Sequence, residues 1–376
     1  MKKALCLISK TISLSLEPTG LYDLWAVGAT AQGRYCFPAG TTTAPKSAYP
    51  VDPATLKKAA GFLGKDPSDF DGASLHSGGM SFALVPYDDA PVGRDRHLPE
   101  AYSCRLKGDD LLAALERVVP YLPKDRAWTD YDNVHVEATE GQVRLVATNG
   151  AIMGLQDIDV TDEEGDGAAD WTPDSLWELT RVLKAFRPEG VTLSWDEKTF
   201  QIAWGGGAYY TGVAAPNWGV PYRKVLPSAS TFALRVKGPP FARALKAQDK
   251  WDRGYRAYVV ITVVPSGVVL LEGKGLDVGV DGSIEGYIVT PKDHEKDRIA
   301  LRQALALKAI KGLGKGDLSL TGVGSMGPVA ITSESAPGFL GIIMPIALAV
   351  CKKCGGLRHE CSCEDLGGRG VEGGGR

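Results

Sequence analysis

The chain has 376 residues, 44% hydrophobic and 23% charged, and a net charge of −3. Its length suits a globular protein of two or three domains, and no apolar run approaches the about 18 residues of a membrane span. The charge excludes a uniformly basic nucleic-acid binder, though not a protein that segregates positive charge onto one face.

In chain order, MKKALCLISK opens with an apolar run that ends at Ser9 and Lys10. That is too short for a secretory h-region, and no small-residue cleavage site follows, so it is read as a first strand of a cytoplasmic protein. LSLEPTGLYDLWAVG (14–28) predicts a hairpin, and VDPATLKKAAGFLGK predicts a helix with Pro53 in its first turn. DGASLHSGGMSFALV then returns as two strands. Residues 102–116, YSCRLKGDDLLAALE, predict a strand, a Lys107-Gly108 turn and a helix. NVHVEATEGQVRLVATNG (133–150) predicts strand, Gly turn, strand. The dipeptide Asn149-Gly150, followed by Ile152 and Met153, predicts a primed hairpin turn. The acidic groups Asp88-Asp89 and Asp162-Glu163-Glu164 are expected in solvated loops.

TPDSLWELTRVLKAF places Leu176, Leu179, Val182, Leu183 and Phe186 on one helical face, with Pro173 at its start. GVTLSWDEKTFQIAW alternates with period two. FALRVKGPPFARALK (232–246) then matches 102–116 position for position, 130 residues later, including a Lys237-Gly238 turn. The hairpin recurs in YVVITVVPSGVVLLEG, and the helix-plus-strands unit in IALRQALALKAIKGL and GDLSLTGVGSMGPVAIT. Internal repeats of this kind dominate the fold decision. The chain therefore reads as α+β, three tandem modules at 1–100, 101–229 and 230–349, the first shortened, with a tail at 350–376. Serial helix-on-sheet units argue against a Rossmann-type enzyme. No Walker A motif, GxSxG elbow or HExxH occurs, and the glycines at 205–207 and 312–316 read as turns. No catalytic constellation is visible, and none is expected.

The predicted helices repeat basic residues on the face away from the core: Lys57 and Lys58; Arg117; Arg181, Lys184 and Arg187; Arg243 and Lys246; and Arg302, Lys308 and Lys311. A chain that is acidic overall but basic on equivalent helices suits a wall facing DNA phosphates without regard to sequence.

In the tail, Cys351, Cys354, Cys361 and Cys363 form a Cys-x-x-Cys knuckle and a Cys-x-Cys pair, suited to tetrahedral Zn²⁺ with thiolates at about 2.3 Å. His359 is a substitute ligand. The last residues, LGGRGVEGGGR, are Gly-rich.

Three segments carry a resemblance. ATNG (147–150), VPYRKVLP (220–227) and GPVAITSESAPGFLGIIMPI (327–346) resemble, in order and spacing, motifs of the bacterial DNA polymerase III β subunit, the replicative sliding clamp. The resemblance implies DNA-clamp domains closed into a ring as a head-to-tail homodimer, with helices around duplex DNA, no catalysis, and a polymerase tethered for processivity. It also implies a clamp loader, and a peptide pocket for clamp-binding motifs between the second and third domains. Carried over position by position, that pocket holds Thr148, Gly150, Ala151, Ile152 and Met153; Val220 or Pro221, Lys224 and Val225; and Met326, Pro328, Ile342, Ile343, Met344, Pro345 and Ile346. This chain has Ala151-Ile152-Met153 where the family has His-Arg-Leu, so its peptide preference is expected to be more apolar. The alternative is a clamp-shaped interaction protein, a decoy or transcription coactivator, that does not encircle DNA.

Overall fold

The computed structural model describes residues 11–19, 23–30, 33–42, 49–50, 69–70, 74–77, 80–83, 101–123, 131–196, 199–205, 207–212, 219–227, 230, 232–251, 258–263, 268–274, 279–288, 298–323 and 327–345. Lys57, Lys58, Met326, Ile346 and the four tail cysteines lie outside them.

The middle module begins with β8 (Tyr102–Lys107), which buries Tyr102, Cys104 and Leu106 on alternate positions. Its predecessors are β1 (Thr11–Thr19), β2 (Asp23–Thr30), β3 (Gly33–Thr42), β4 (Tyr49–Pro50), β5 (Asp69–Phe70), β6 (Ser74–Ser77) and β7 (Met80–Ala83). Helix α1 (Gly108–Val118) starts directly after Lys107 and inserts Leu111, Leu115 and Val118 into the core. Its first residue must be glycine, because a Cβ there would stand 2.1 Å from the Pro188 carbonyl oxygen. The matching Gly238 would put a Cβ 2.3 Å from the Gly316 carbonyl oxygen. In both modules, then, the repeated Lys-Gly marks where the helix start presses on the backbone entering a later strand. A 3₁₀ turn, Val119–Tyr121, follows α1.

Next come β9 (Val134–Thr139), β10 (Gln142–Thr148), β11 (Ile152–Asp159), β12 (Thr161–Gly165) and β13 (Ala168–Trp171). Helix α2 (Pro173–Phe186) has Thr172 as its N-cap, accepting from the Ser175 N–H, and Pro173 in its first turn. It ends on Arg187 in the left-handed region at φ 44°. Strands β14 (Gly190–Trp195), β15 (Thr199–Trp204) and β16 (Gly207–Gly212) complete the module. The third repeats it: β17 (Phe232–Lys237), α3 (Gly238–Trp251), β18 (Tyr258–Val263), β19 (Val268–Lys274), β20 (Gly279–Ile288), β21 (Arg298–Arg302), α4 (Gln303–Lys311), β22 (Asp317–Gly322), β23 (Val329–Ser333) and β24 (Phe339–Ile343). Residues 312–316 are turns, as expected.

Each half-module lends its first strand to the other half. β8 pairs β14 and β13 pairs β9; in the third module β17 pairs β22 and β21 pairs β18. Helices pack in pairs, α1 with α2 and α3 with α4. One contiguous apolar core runs beneath them through both modules.

The acidic run 161–165 is a correction to the loop expectation. It is a fully exposed strand antiparallel to β8, with an irregular register at Asp162, whose φ is 51°. Exposure on both faces and backbone pairing at a sheet edge let acidic residues occupy a strand without burial.

Sheets continue across module boundaries. β16 pairs β3 through Ala208↔Cys36 to Thr211↔Gly33, and β11 pairs β24 through Ile152↔Ile343 to Gln156↔Phe339.

Candidate functional site

The segment 148–153 turns between β10 and β11 at the seam with β24. Thr148, 4% exposed, donates its hydroxyl to the Ile152 carbonyl at 2.8 Å and accepts from the Gly150 N–H at 3.1 Å. The Asn149 side-chain oxygen accepts from the Ala151 and Ile152 N–H groups, each at 3.0 Å. With Thr148 paired to Met153, the loop is four residues long, and of these only Gly150 has positive φ, at 81°. The hairpin expectation holds, but the two-residue primed turn does not. The Asn149 carboxamide caps two N–H groups and so stabilises a wider turn.

Strand alternation divides the remaining positions between two faces. Ile152 and Ile343 join the main core beneath the helices. Met153 and Ile342, opposite each other in register, point to the other face, with Val146, Leu155 and Tyr222. Val220, Val225, Leu226 and Leu340 pack around that cluster. Two of the expected pocket residues, Ile152 and Ile343, are therefore core residues on the wrong face to line a groove. Met344 leaves β24 with its N–H donated to the Ala151 carbonyl at 3.0 Å and its side chain 39% exposed. Pro345, Pro328, Ala151 and Val225 are half-buried, whereas Gly150 and Lys224 are exposed. The result is a second, smaller apolar cluster built from two modules, flanked by the 220–227 segment and by the exit of β24.

The segment 220–227 is held in place by contacts that none of the sequence motifs includes. Tyr222 is buried and donates its hydroxyl to Glu137, while Arg223 donates to both carboxylate oxygens of Glu137 at 2.8 and 2.9 Å. Glu137 stands opposite Arg144 in the β9–β10 register, and Arg144 stands opposite Asp157, to which it donates two hydrogen bonds at 2.7 and 3.0 Å. His135, two residues before Glu137 on the same face, meets Asp170 across β13 at 2.8 Å. Burial alone would raise Glu137, but hydrogen bonds from His135 and Tyr222 and the charge of Arg223 outweigh it and hold the carboxyl at about 2. Burial opposes charge on His135 too, yet bonding to Asp170 and Glu137 leaves it above its ordinary value. The signal was present in the sequence: Val134 and Val136 mark the core face of β9, which places His135 and Glu137 on the opposite one.

The helical cations divide. Arg181, Arg187, Arg243, Lys246, Arg302 and Lys311 are exposed. Lys184 is exposed but paired with Glu116 at 2.6 Å. Arg117 departs from expectation: its guanidinium donates to the Gln156 side chain at 2.8 Å, on the flank of α1 that faces β11. Lys308 donates to the Leu122 carbonyl at 3.0 Å, across the boundary between modules. Arg302 ends β21 and serves as the N-cap of α4, rather than lying along the helix. These residues are held by intramolecular partners or by position, so the basic face is thinner than the sequence implies.

The fold is that of the bacterial DNA polymerase III beta subunits. The Thermotoga maritima protein superposes with a TM-score of 0.75 at 18% identity, covering 93% of this chain and 97% of that one. The Pseudomonas aeruginosa subunit gives 0.76 at 12%, over 92% and 97%. The Bacillus subtilis sliding clamp gives 0.76 at 14%, over 92% and 96%. No protein-family profile and no curated protein sequence matches the chain. The likeness is carried by architecture, and the chain is sliding-clamp-like.

Proposed function

We propose that two copies of this clamp-like chain close head-to-tail around duplex DNA and tether a DNA polymerase through the groove over Met153 and Ile342. The observation that carries this reading is the pattern of sheet edges. Within the chain, the last strand of one module's first meander pairs with the last strand of the next module's second meander: β3 with β16, and β11 with β24. The same rule leaves β7 at one end and β20, over Gly279–Glu285, at the other. Among the described residues, each of these is paired there on one side only, with β6 and with β19 respectively. A long unpaired edge invites strand addition. A second copy offers β7 to β20 and β20 to β7, and the repeated rotation closes a ring.

Exposed cations on the helices would hold phosphates by counterion release, which is independent of sequence and permits sliding. The groove suits an extended peptide with apolar anchors, given apolar walls and backbone groups such as those of Ala151 and Met344. No catalytic step is assigned to the chain; a clamp loader would be needed to open a closed ring. The test is topological. Sedimentation should give a dimer, and the protein should stay on nicked circular DNA but slide off after linearisation. A monomer that never stays on circles would support the alternative, a clamp-shaped interaction protein. The engagement of Arg117, Lys184 and Lys308 within the chain favours that second reading.

A further inference from the structure

On the helical side of the seam between the middle and third modules lies a cleft of about 970 Å³. Pro120, Leu122 and Pro173 wall it on one side and Leu307 on the other. Its volume is at the upper end of the about 300–1,000 Å³ typical of small-molecule sites. Three features of its lining face a ligand rather than the core. Trp177 lines it and is 60% exposed, while its neighbours Leu176 and Leu179 fill the core. More than half of the Trp177 surface is open to solvent, which leaves it available to stack against a ligand. Lys246 and Lys311 stand at the cleft from α3 and α4, both exposed. Asp132 also lines it and is half-buried. An ionised carboxylate accepts hydrogen bonds and donates none, so a ligand that donates to it gains affinity.

We infer that the cleft binds single-stranded DNA by taking one unstacked nucleobase against Trp177, with the flanking phosphates on Lys246 and Lys311. An aromatic platform beside free cations is the chemistry by which single strands are held without sequence readout. The Asp132 acceptor adds a preference for bases bearing an exocyclic amine, so cytosine is held better than thymine. This inference rests on the reading that the helical face looks toward DNA. It places a single-strand contact where a primer–template junction would pass.

The experiment measures anisotropy of labelled ten-nucleotide oligo-dC and oligo-dT with the full chain at low salt. Oligo-dC should bind more tightly than oligo-dT, and Trp177→Ala should weaken both by about ten-fold, within the range that loss of base stacking gives. Asp132→Asn should narrow the difference between the two oligonucleotides. The exposure of Trp177 makes its removal harmless to folding, which a thermal melt verifies. Equal binding by wild type and Trp177→Ala overturns the inference, as does no binding by wild type or binding only of an aromatic-anchored acidic peptide. Retention of the wild type on circular duplex is scored separately, so loss of the ring reading and loss of this one are distinguishable.

Discussion

The hydroxyl of Tyr121, at the end of the 3₁₀ turn after α1, donates to the main-chain carbonyl of Ala309 on α4 at 2.8 Å. The ring lies against Phe339 with centroids 5.8 Å apart, so one buried tyrosine ties the middle module to the third. Two glycines make room for it. A Cβ on Gly154 would stand 2.8 Å from the ring, and one on Gly341 would stand 2.7 Å from the hydroxyl. Tyr121→Phe leaves the Ala309 carbonyl without that donor and should cost about 1–3 kcal/mol. Gly154→Ala should cost a similar amount by overpacking, about 1–3 kcal/mol. Urea unfolding reads both as lowered midpoints at constant slope; an unmoved midpoint in either variant would mean the seam does not depend on this contact.

Acid and base should loosen the 220–227 segment from opposite directions. Glu137 is depressed from 4.5 to about 2, so its contribution is present above 4.5 and is lost as pH falls toward 2. His135 is raised above 6.5, so its contribution is full below 6.5 and fades as pH rises through its folded value. The latch is therefore firmest between about 4.5 and 6.5. Glu137→Gln should flatten the acid limb of a plot of melting temperature against pH. If wild type and variant lose stability in parallel below 4.5, some other carboxylate governs that limb.

Met344 and Met153 separate contact from support. Met344 is partly exposed beside the groove, so Met344→Asp should weaken capture of an apolar-anchored clamp-binding peptide at least ten-fold, with little change in melting temperature. Met153 is 4% exposed in the floor, so Met153→Ala should cost about 2–5 kcal/mol of stability. Calorimetric titration with the peptide checks the first, and full affinity in Met344→Asp would move the site elsewhere.

Charge on the helices should appear in salt dependence. Arg243 and Arg187 are exposed on α3 and at the end of α2. If each meets one phosphate, reversal to Glu should reduce the slope of log affinity against log salt by about 0.9 per residue. Unchanged slopes would remove both from the DNA-facing wall.

For the tail, purified and untreated protein should carry one Zn²⁺ per chain, released by chelator, if Cys351, Cys354, Cys361 and Cys363 are ligands. Metal analysis that finds none removes the site. Among the described residues, no group of three His, Cys, Asp or Glu side chains could hold a metal.

The modular repeat could be read directly, because Gly108 and Gly238 answer the same steric demand and recur at matching places. Helix faces and starts followed from local chemistry, as with Pro173 and Leu176. Pairing did not. Alternation in β8 states which face is buried but not that its partner is β14 rather than β9, since that choice is made by the whole module. For the same reason the row Asp170–His135 and Glu137–Arg144–Asp157 is only half legible: Val134 and Val136 set His135 and Glu137 on one face of β9, but the register alone sets their partners beside them. Ile152 and Ile343 were placed in the groove by motif, although their neighbours Met153 and Ile342 already implied that alternate residues point away. Arg117 carried no local mark distinguishing it from a solvent-facing arginine; Gln156, its partner, is 39 positions away.

The apolar cluster under the proposed groove is split between modules, Met153 from one and Ile342 from the other, at paired positions in a single sheet. If a partner peptide binds there as proposed, its occupancy and the integrity of the seam are thermodynamically coupled. A peptide present at 100 times its dissociation constant adds about 2.7 kcal/mol to the free energy of unfolding. Any such coupling is reciprocal: if binding tightens the tie between Tyr121 and Ala309, loosening that tie weakens binding by the same factor. A bound polymerase would act as a brace across the two modules, and a strained seam would let it go.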